Sequence, residues 1–566
     1  MGTPILEKPM SKNSKSELTR RRILQGTAAV AVSAMLPRSA FAQGPYSQPI
    51  PTGTPCPQSS TVTVTSATTA TIPAQFVGLS YEKGEINYPQ HPLFVSTNTS
   101  LLNLFSLLSG ASGSVLRLGG ASADGSTYNG WPGTGPSQVE DLAEFLAAIP
   151  NTNKSWQAIY GINLEGQDLT SSQQGYTTTA LASEETSDVL YYFRQSGLSQ
   201  PLIEMGNEPD NWGGTEMGGT YGGATYNLSA YEAIWKRFQQ YVAGNNAGVK
   251  IAATAGGAYA DGYASVPKSW ETPFINDMVA NGTPPALLTH HFYISSGTSS
   301  PAPTYANLRD WNLPNLVNNA PPAAPASNVT NFDQYTGTYL KQISSSSKIP
   351  YRLAECNSYW SGGAPGVSDA FVSALWVIDY LFRAAYWGAS GVNFHTGYEA
   401  PYSSFFWVNG VVTVVNPIFH GMKFFNMALN QTTGTGTVLT TTTNNFYGEN
   451  VSAYTVSTSA HTATVLLINK SSVYYFHPTI TLPNKCISAT LVALTTVGST
   501  GLQSMNWNGS DYTTYDKNTQ IQGAAIGADG SYTPDPTQLY TITPNANGSI
   551  TCYLPTISAV LITVNF

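Results

Sequence analysis

Eight short runs rich in β-branched and other apolar residues, separated by amphipathic helical stretches, constrain this chain more than any other feature. They cover residues 76–80, 115–119, 156–163, 202–207, 249–254, 287–293, 349–354 and 391–395. Between several of them, residues 137–149, 184–195, 229–241 and 368–387 repeat apolar side chains at three- and four-residue spacing, the period of a helix with one buried face. Pro136 precedes the first of these helices, where a fixed φ suits a helix start. Buried strands alternating with helices predict an α/β fold, a (β/α)8 barrel, although periodicity alone accepts an open doubly wound sheet equally well.

Beyond Phe425 the texture changes to Thr/Ser/Val/Tyr-rich alternation, as in residues 460–469 and 549–565, broken by Asn/Gly/Ser turns. This predicts a β-sandwich. Residues 60–72 share the texture and are expected to lend it a strand. The expected organisation is an export signal at 1–42, an N-terminal segment at 43–75, the barrel at 76–425 and the sandwich at 426–566. Residues 295–328, rich in Pro, Ala and Asn, read as a loop over one face of the barrel.

The N-terminus reads as an address. Thr19-Arg20-Arg21-Arg22-Ile23-Leu24-Gln25 has the form of a twin-arginine export motif, followed by an apolar stretch at 27–36 and a small-x-small site at Ala40-Phe41-Ala42. A basic helix beside a membrane anchor is the alternative, but the apolar run is short of the ~20 residues a spanning helix needs. Export to the periplasm or medium, with cleavage near Ala42 and no stable membrane association, is the expectation. Apolar residues at 42% supply a core, whereas charged residues make up only 10% and the net charge is -8. With no Lys/Arg cluster past the first forty residues, nucleic acid and sulfated polyanions are excluded as natural partners. The four cysteines, Cys56, Cys356, Cys486 and Cys552, are too few for a disulfide scaffold and lack zinc spacing. Cys486 and Cys552 are the one pair that could bridge within a single domain. Cys356 reads as a small buried residue rather than a thiol nucleophile.

Two carboxylates carry the chemistry. Gly206-Asn207-Glu208-Pro209 closes the fourth run, and the proline is expected to hold Glu208 extended where strand becomes loop. Glu355 closes the seventh run. In a closed barrel these strands face each other across the C-terminal mouth, where barrel enzymes build their sites. A retaining glycosidase needs two facing carboxyls about 5–5.5 Å apart, one protonated and one ionised. Taken singly, each glutamate also fits a solvated strand end making a surface salt bridge.

Asn-Glu-Pro after the fourth strand resembles the acid/base signature of clan A glycoside hydrolases. Residues 354–365, Ala-Glu-Cys-Asn-Ser-Tyr-Trp-Ser-Gly-Gly-Ala-Pro, with Ser368-Asp369 beyond, resemble the nucleophile segment of glycoside hydrolase family 79, the heparanases and microbial β-glucuronidases. His290-His291-Phe292-Tyr293, Leu116-Arg117-Leu118-Gly119-Gly120 and the run Asn416 to Met422 resemble further motifs of that family, in order, from about Ser60 to the C-terminus. The resemblance implies a barrel with a β-sandwich and assigns Glu208 as acid/base and Glu355 as nucleophile. It implies that Asn207 binds the sugar 2-hydroxyl and that Tyr293 hydrogen-bonds the nucleophile. Arg117 is expected near Glu355 or as an internal counter-ion. Glu82 and Asp124 are expected to bind outer hydroxyls or to cap turns, and Tyr402 to line the pocket or the core. Glu204 reads as too deep for substrate, and Glu165 matches no motif.

The family reads a uronic carboxylate with backbone N–H groups after the nucleophile and a tyrosine hydroxyl. Gly362 and Gly363 are available here, but Trp360 stands at the tyrosine position, with Tyr359 before it. The expected function is a retaining exo-β-glucuronidase acting by double displacement on terminal β-linked glucuronic acid or its 4-O-methyl form, without metal or organic cofactor. The alternatives are a clan relative acting on a neutral sugar and an inactive carbohydrate-binding protein.

Overall fold

A computed structural model describes residues 53–566 apart from 87–91, 130–132, 165–177, 215–219, 222–223, 226, 258–266, 301, 314–328, 398 and 497–518. The export motif and Glu165 lie outside the described residues. Eight parallel strands close into a barrel: β1 (Val77–Glu82), β2 (Val115–Gly119), β3 (Gln157–Ile162), β4 (Leu202–Met205), β5 (Lys250–Gly256), β6 (Leu287–Ser296), β7 (Tyr351–Trp360) and β8 (Val392–Thr396). Each matches one predicted run, and β8 pairs β1 to complete the ring. The doubly wound alternative is therefore excluded.

The helices follow from local chemistry. Thr178 and Asn227 cap Thr179–Gln195 and Leu228–Asn245 by accepting the N–H three residues on, and Pro136 opens Pro136–Ala148. The fourth predicted helix starts later than expected, as Phe371–Trp387, because residues 365–370 make turns; Gly388 at φ +88° stops it. This helix is buried almost all round, since the barrel covers one side and a sheet the other. Phe382 stacks on Tyr454 of that sheet at 4.1 Å, and the Tyr454 hydroxyl donates to Asp379 at 2.7 Å. Lys470 pairs with the same aspartate.

The C-terminal strands form one ten-stranded sheet, in which Thr61–Ile72 lies between Gly436–Asn444 and Thr479–Thr481. The sheet curls around its own core of Val62, Val465, Leu491, Ile550 and Ile562. All four cysteines are free, so Cys486 and Cys552 are not bridged. Cys356 is buried, and burial pushes its thiol up, which suits packing and not nucleophilic attack. Among the described residues no helix is long and apolar enough to cross a membrane.

Candidate active site

Inside the barrel, side chains alternate with the strand period. Val115, Ile159, Ala252, Leu287 and Ala354 form a buried apolar layer. Two residues further toward the mouth, Arg117 and Glu204 replace it with charge. Strand β7 departs from the period: its register against β6 slips between His290 and His291, so that Leu353 faces His290 and Glu355 faces His291. This bulge lets the consecutive residues Ala354 and Glu355 both face inward.

Strand β4 stops at Met205, earlier than expected, and Glu208 is not extended. Its φ is +42°, following Gly206 at +84°. The expectation of extended geometry fails because the loop is held from outside the Glu-Pro unit: Glu208 N–H donates to Ala255 O at 2.9 Å, and Gly206 N–H to Ile162 O at 3.0 Å. Asp124 completes the clamp. Its carboxylate accepts from Asn207 N–H at 3.2 Å and from Trp212 Nε1 at 3.1 Å, beneath the loop. A non-glycine residue at positive φ costs roughly 1–2 kcal/mol and recurs where function fixes a side chain.

Arg117 organises the rest. Fully buried, it donates through Nε to Glu204 at 2.7 Å, through Nη1 to Glu355, and through Nη2 to Asn207 Oδ1 at 2.9 Å. It is thus both internal counter-ion and neighbour of Glu355. Asn207, with its oxygen engaged, keeps its amide N–H groups to donate. Nη2 also lies 3.2 Å from His291 Nε2. A guanidinium has no lone pair to offer, so Nε2 accepts and the ring hydrogen sits on Nδ1, 2.9 Å from Glu208 Oε1.

The two glutamates have different surroundings. One oxygen of each and a ring nitrogen of His291 all lie within 4.8 Å of one another. Glu355 accepts from Tyr293 at 2.8 Å and from Arg117, with its side chain 10% exposed. Burial alone pushes its carboxyl up, but His395, Arg117 and the Tyr293 hydroxyl outweigh that and hold it well below the usual carboxylate range. Glu208 is 26% exposed at the rim, with His291 as its polar neighbour.

The remaining expected residues ring this pair. Glu82 ends β1, accepts from Ser122 N–H at 2.8 Å and sits 3.4 Å from His395 Nε2. Tyr402 is buried beside Tyr293 and His395, at ring separations of 6.3 and 6.0 Å. Its hydroxyl has no partner among the described residues. Ser361, Gly362 and Gly363 all have positive φ, and neither glycine N–H is paired among the described residues. Trp360 is partly exposed where β7 ends, whereas Tyr359 is buried in the apolar core with its hydroxyl unpaired. Glu204 is fully buried against Arg117, out of reach of substrate.

Sequence reasoning missed three groups: His395, Ser80 and Glu85. Burial and the nearby Glu82 push the Glu85 carboxyl up to about 7. His395 closes the predicted run 391–395 just as Glu355 extends 349–354, and that position was its only signal.

No family model matches the chain. A β-glucuronidase of Aspergillus niger is 31% identical over 119 residues, which is 21% of this chain and 20% of that protein. The chain thus matches about a fifth of the length of this curated relative. Among solved structures, a 4-O-α-L-rhamnosyl-β-D-glucuronidase from Fusarium oxysporum superposes with a TM-score of 0.62 at 19% identity, over 88% of this chain and 100% of that one. A family 51 α-L-arabinofuranosidase from Bifidobacterium longum gives 0.58 at 13% identity, covering 89% and 99%. A bifunctional glucanase-xylanase from a metagenome library gives 0.56 at 14%, covering 90% and 99%. The chain therefore has the barrel-plus-sheet fold found in these glycoside hydrolases.

Proposed function

We propose that the chain is an exported retaining exo-β-glucuronidase of the family 79 type, releasing terminal β-linked glucuronic acid or its 4-O-methyl form from glycans or glucuronides. The observation that carries this reading is the spacing of Glu208 and Glu355. One oxygen of each lies within 4.8 Å of the other, which is compatible with the carboxyl separation of about 5–5.5 Å used in double displacement. Glu355, held ionised, attacks the anomeric carbon while Glu208 protonates the departing oxygen. Glu208 then takes a proton from water, which displaces Glu355 and restores both groups. Asn207 faces the 2-hydroxyl, and Glu82 an outer hydroxyl. We read residues 76–425 as the catalytic unit and 426–566, with a strand from 43–75, as its companion. The twin-arginine motif supports delivery to the periplasm or medium.

The choice of sugar rests on residues 360–363. The unpaired N–H groups of Gly362 and Gly363 suit a carboxylate. With Tyr359 in the core, Tyr402 is the hydroxyl at hand, and Trp360 can add only an indole N–H. A neutral β-glycoside is the second reading, favoured by the acidic pair Glu82 and Glu85 on the β1 side. Nitrophenyl glucuronide, glucoside, galactoside and xyloside, with Glu355→Ala as control, separate the readings. Fastest turnover of the glucuronide with a β-anomer as first product is expected. A faster neutral sugar would move the claim to the second reading, an α-anomer would reject retention, and undiminished hydrolysis by Glu355→Ala would reject the site.

A further inference from the structure

We propose that His395, which belongs to neither the acid nor the nucleophile, is a positioning residue that couples Glu355 to the sugar-facing carboxylate Glu82 through its two ring nitrogens. This rests on reading Glu355 as the nucleophile. The ring is 3% exposed at the end of β8. Its Nε2 lies 3.4 Å from Glu82 Oε1, and its Nδ1 lies 3.0 Å from Ser80 Oγ and 3.8 Å from Glu355 Oε2. The groups facing it come from every neighbouring element. Ser80 and Glu82 come from β1, Glu85 from the turn after it, Arg117 from β2 and Glu355 from β7, with the Tyr402 ring packed at 6.0 Å.

This balance favours an imidazolium. Burial works against the charge, but Glu355 and Glu82 outweigh it while Arg117 opposes them, so the ring holds its proton more tightly than a free histidine. The charged ring donates Nδ1–H to Ser80 Oγ, which also lies 3.4 Å from Arg117 Nη1. The neutral ring, keeping its hydrogen on Nε2, instead accepts the Ser80 O–H. Glu82 keeps a donor in both states. Only the positive charge beside Glu355 comes and goes.

Two substitutions separate these roles. Glutamine reaches the position of Nε2 and still donates to Glu82, but carries no charge; asparagine is too short to reach Glu82. Full-length protein is assayed for kcat/KM against pH on whichever aryl glycoside the parent turns over best. In His395→Gln the acidic limb moves to higher pH by at least about half a unit, because Glu355 loses a stabilising charge, while KM stays within about threefold. In His395→Asn, KM rises as well. Ring resonances of histidine-labelled protein give a readout that needs no turnover. The His395 midpoint lies above 6.5, the value of a free histidine, and falls in both Glu355→Gln and Glu82→Gln. An acidic limb unmoved in His395→Gln, or a midpoint indifferent to Glu355→Gln, overturns the proposal. If the parent hydrolyses no glycoside, the glycosidase reading fails, and the ring titration still decides the coupling.

Discussion

His291 offers its Nδ1–H to Glu208 Oε1 at 2.9 Å because Arg117 occupies its other nitrogen at 3.2 Å. If Glu208 is the acid, as proposed, this donor orients the carboxyl that protonates the leaving group. Replacing His291 with Phe removes that donor from the Glu208 carboxyl. The expected loss is about 10–100-fold in kcat for alkyl or methoxyphenyl leaving groups, less than the ~10²–10⁴-fold of a whole general acid because the carboxyl itself remains, and much smaller for dinitrophenol, which departs unaided. A leaving-group series measures this as a steeper dependence of rate on phenol pKa. Equal losses across the series would show that His291 does not serve the acid.

Among the described residues, Tyr293 supplies the neutral hydrogen bond to Glu355, at 2.8 Å. Hydrogen bonds to a charged group contribute about 1.5–3 kcal/mol, and each pH unit corresponds to about 1.4 kcal/mol. The parent's Glu355 is held below the ordinary carboxylate range, so the parent should keep its activity down to pH values where free carboxylates protonate. In Tyr293→Phe the anion loses a donor, its proton affinity rises, and the acidic limb of kcat/KM moves up by about one to two units. An unmoved limb would assign that limb to another group.

The barrel was legible because both its signals are local. β-branched runs of strand length and amphipathic spacing each survive in a single sequence, and all eight strands fall where those signals lie. Glu208 and Glu355 were legible as carboxylates following two predicted runs, although Glu208 lies in the loop after β4 and Glu355 within β7. Their approach was not, because it depends on two irregularities without a periodic signature. One is the bulge that turns both Ala354 and Glu355 inward; the other is the positive φ of Glu208, set by Ala255 and Asp124 from distant parts of the chain. Asp124 illustrates the limit. Its type suggested sugar binding or a turn cap, but not that both its oxygens would also engage the loop carrying Glu208. His395 was missed for the opposite reason: an isolated histidine in an apolar run reads as core until the closing of β8 on β1 brings Glu82 and Ser80 to its nitrogens.

Behind β5 and β6, Glu271 is buried with Thr254 and, at 2.7 Å, Tyr339 donating to it, and its carboxyl is pushed up to about 7, first by burial. His290, 3.3 Å away, is held down to about 3, first by burial, so it stays neutral and can accept a hydrogen from Glu271. A carboxyl whose proton is held more tightly in the folded state binds more protons there than in the unfolded chain. Its contribution is fully present below the unfolded value near 4.5 and is lost as pH rises through about 7. The loss amounts to roughly 3–4 kcal/mol at most, because each pH unit between the unfolded and folded values corresponds to about 1.4 kcal/mol. Glu271→Gln keeps a donor for His290 and has nothing to ionise. Urea unfolding from pH 5 to 8 should therefore show a fall in parent stability that is much shallower in the variant. Parallel curves would place the titration elsewhere.

Gly362 and Gly363 share left-handed backbone, at φ +86° and +91°, but differ in the space around them. A Cβ on Gly362 would meet only Ala400 Cβ at 3.7 Å. On Gly363 it would lie 2.8 Å from Tyr402 N, 2.9 Å from Tyr402 Cβ and 3.0 Å from Ser368 Cβ. Alanine at either site incurs the same backbone strain of about 1–2 kcal/mol, so thermal stability should fall similarly apart from the clash. Only Gly363→Ala has to displace Tyr402, whose ring packs beside Tyr293 and His395. If the loop and Tyr402 together hold a uronic carboxylate, Gly363→Ala should lose about tenfold or more in kcat/KM on the glucuronide. It should lose far less on a glucoside, with Gly362→Ala milder on both; the tenfold corresponds to about 1.4 kcal/mol, one hydrogen bond to a charged group. Equal losses on both sugars would mean that the loop shapes the pocket without reading the carboxylate, and sugar choice would then fall to Glu82, Glu85 and Trp360.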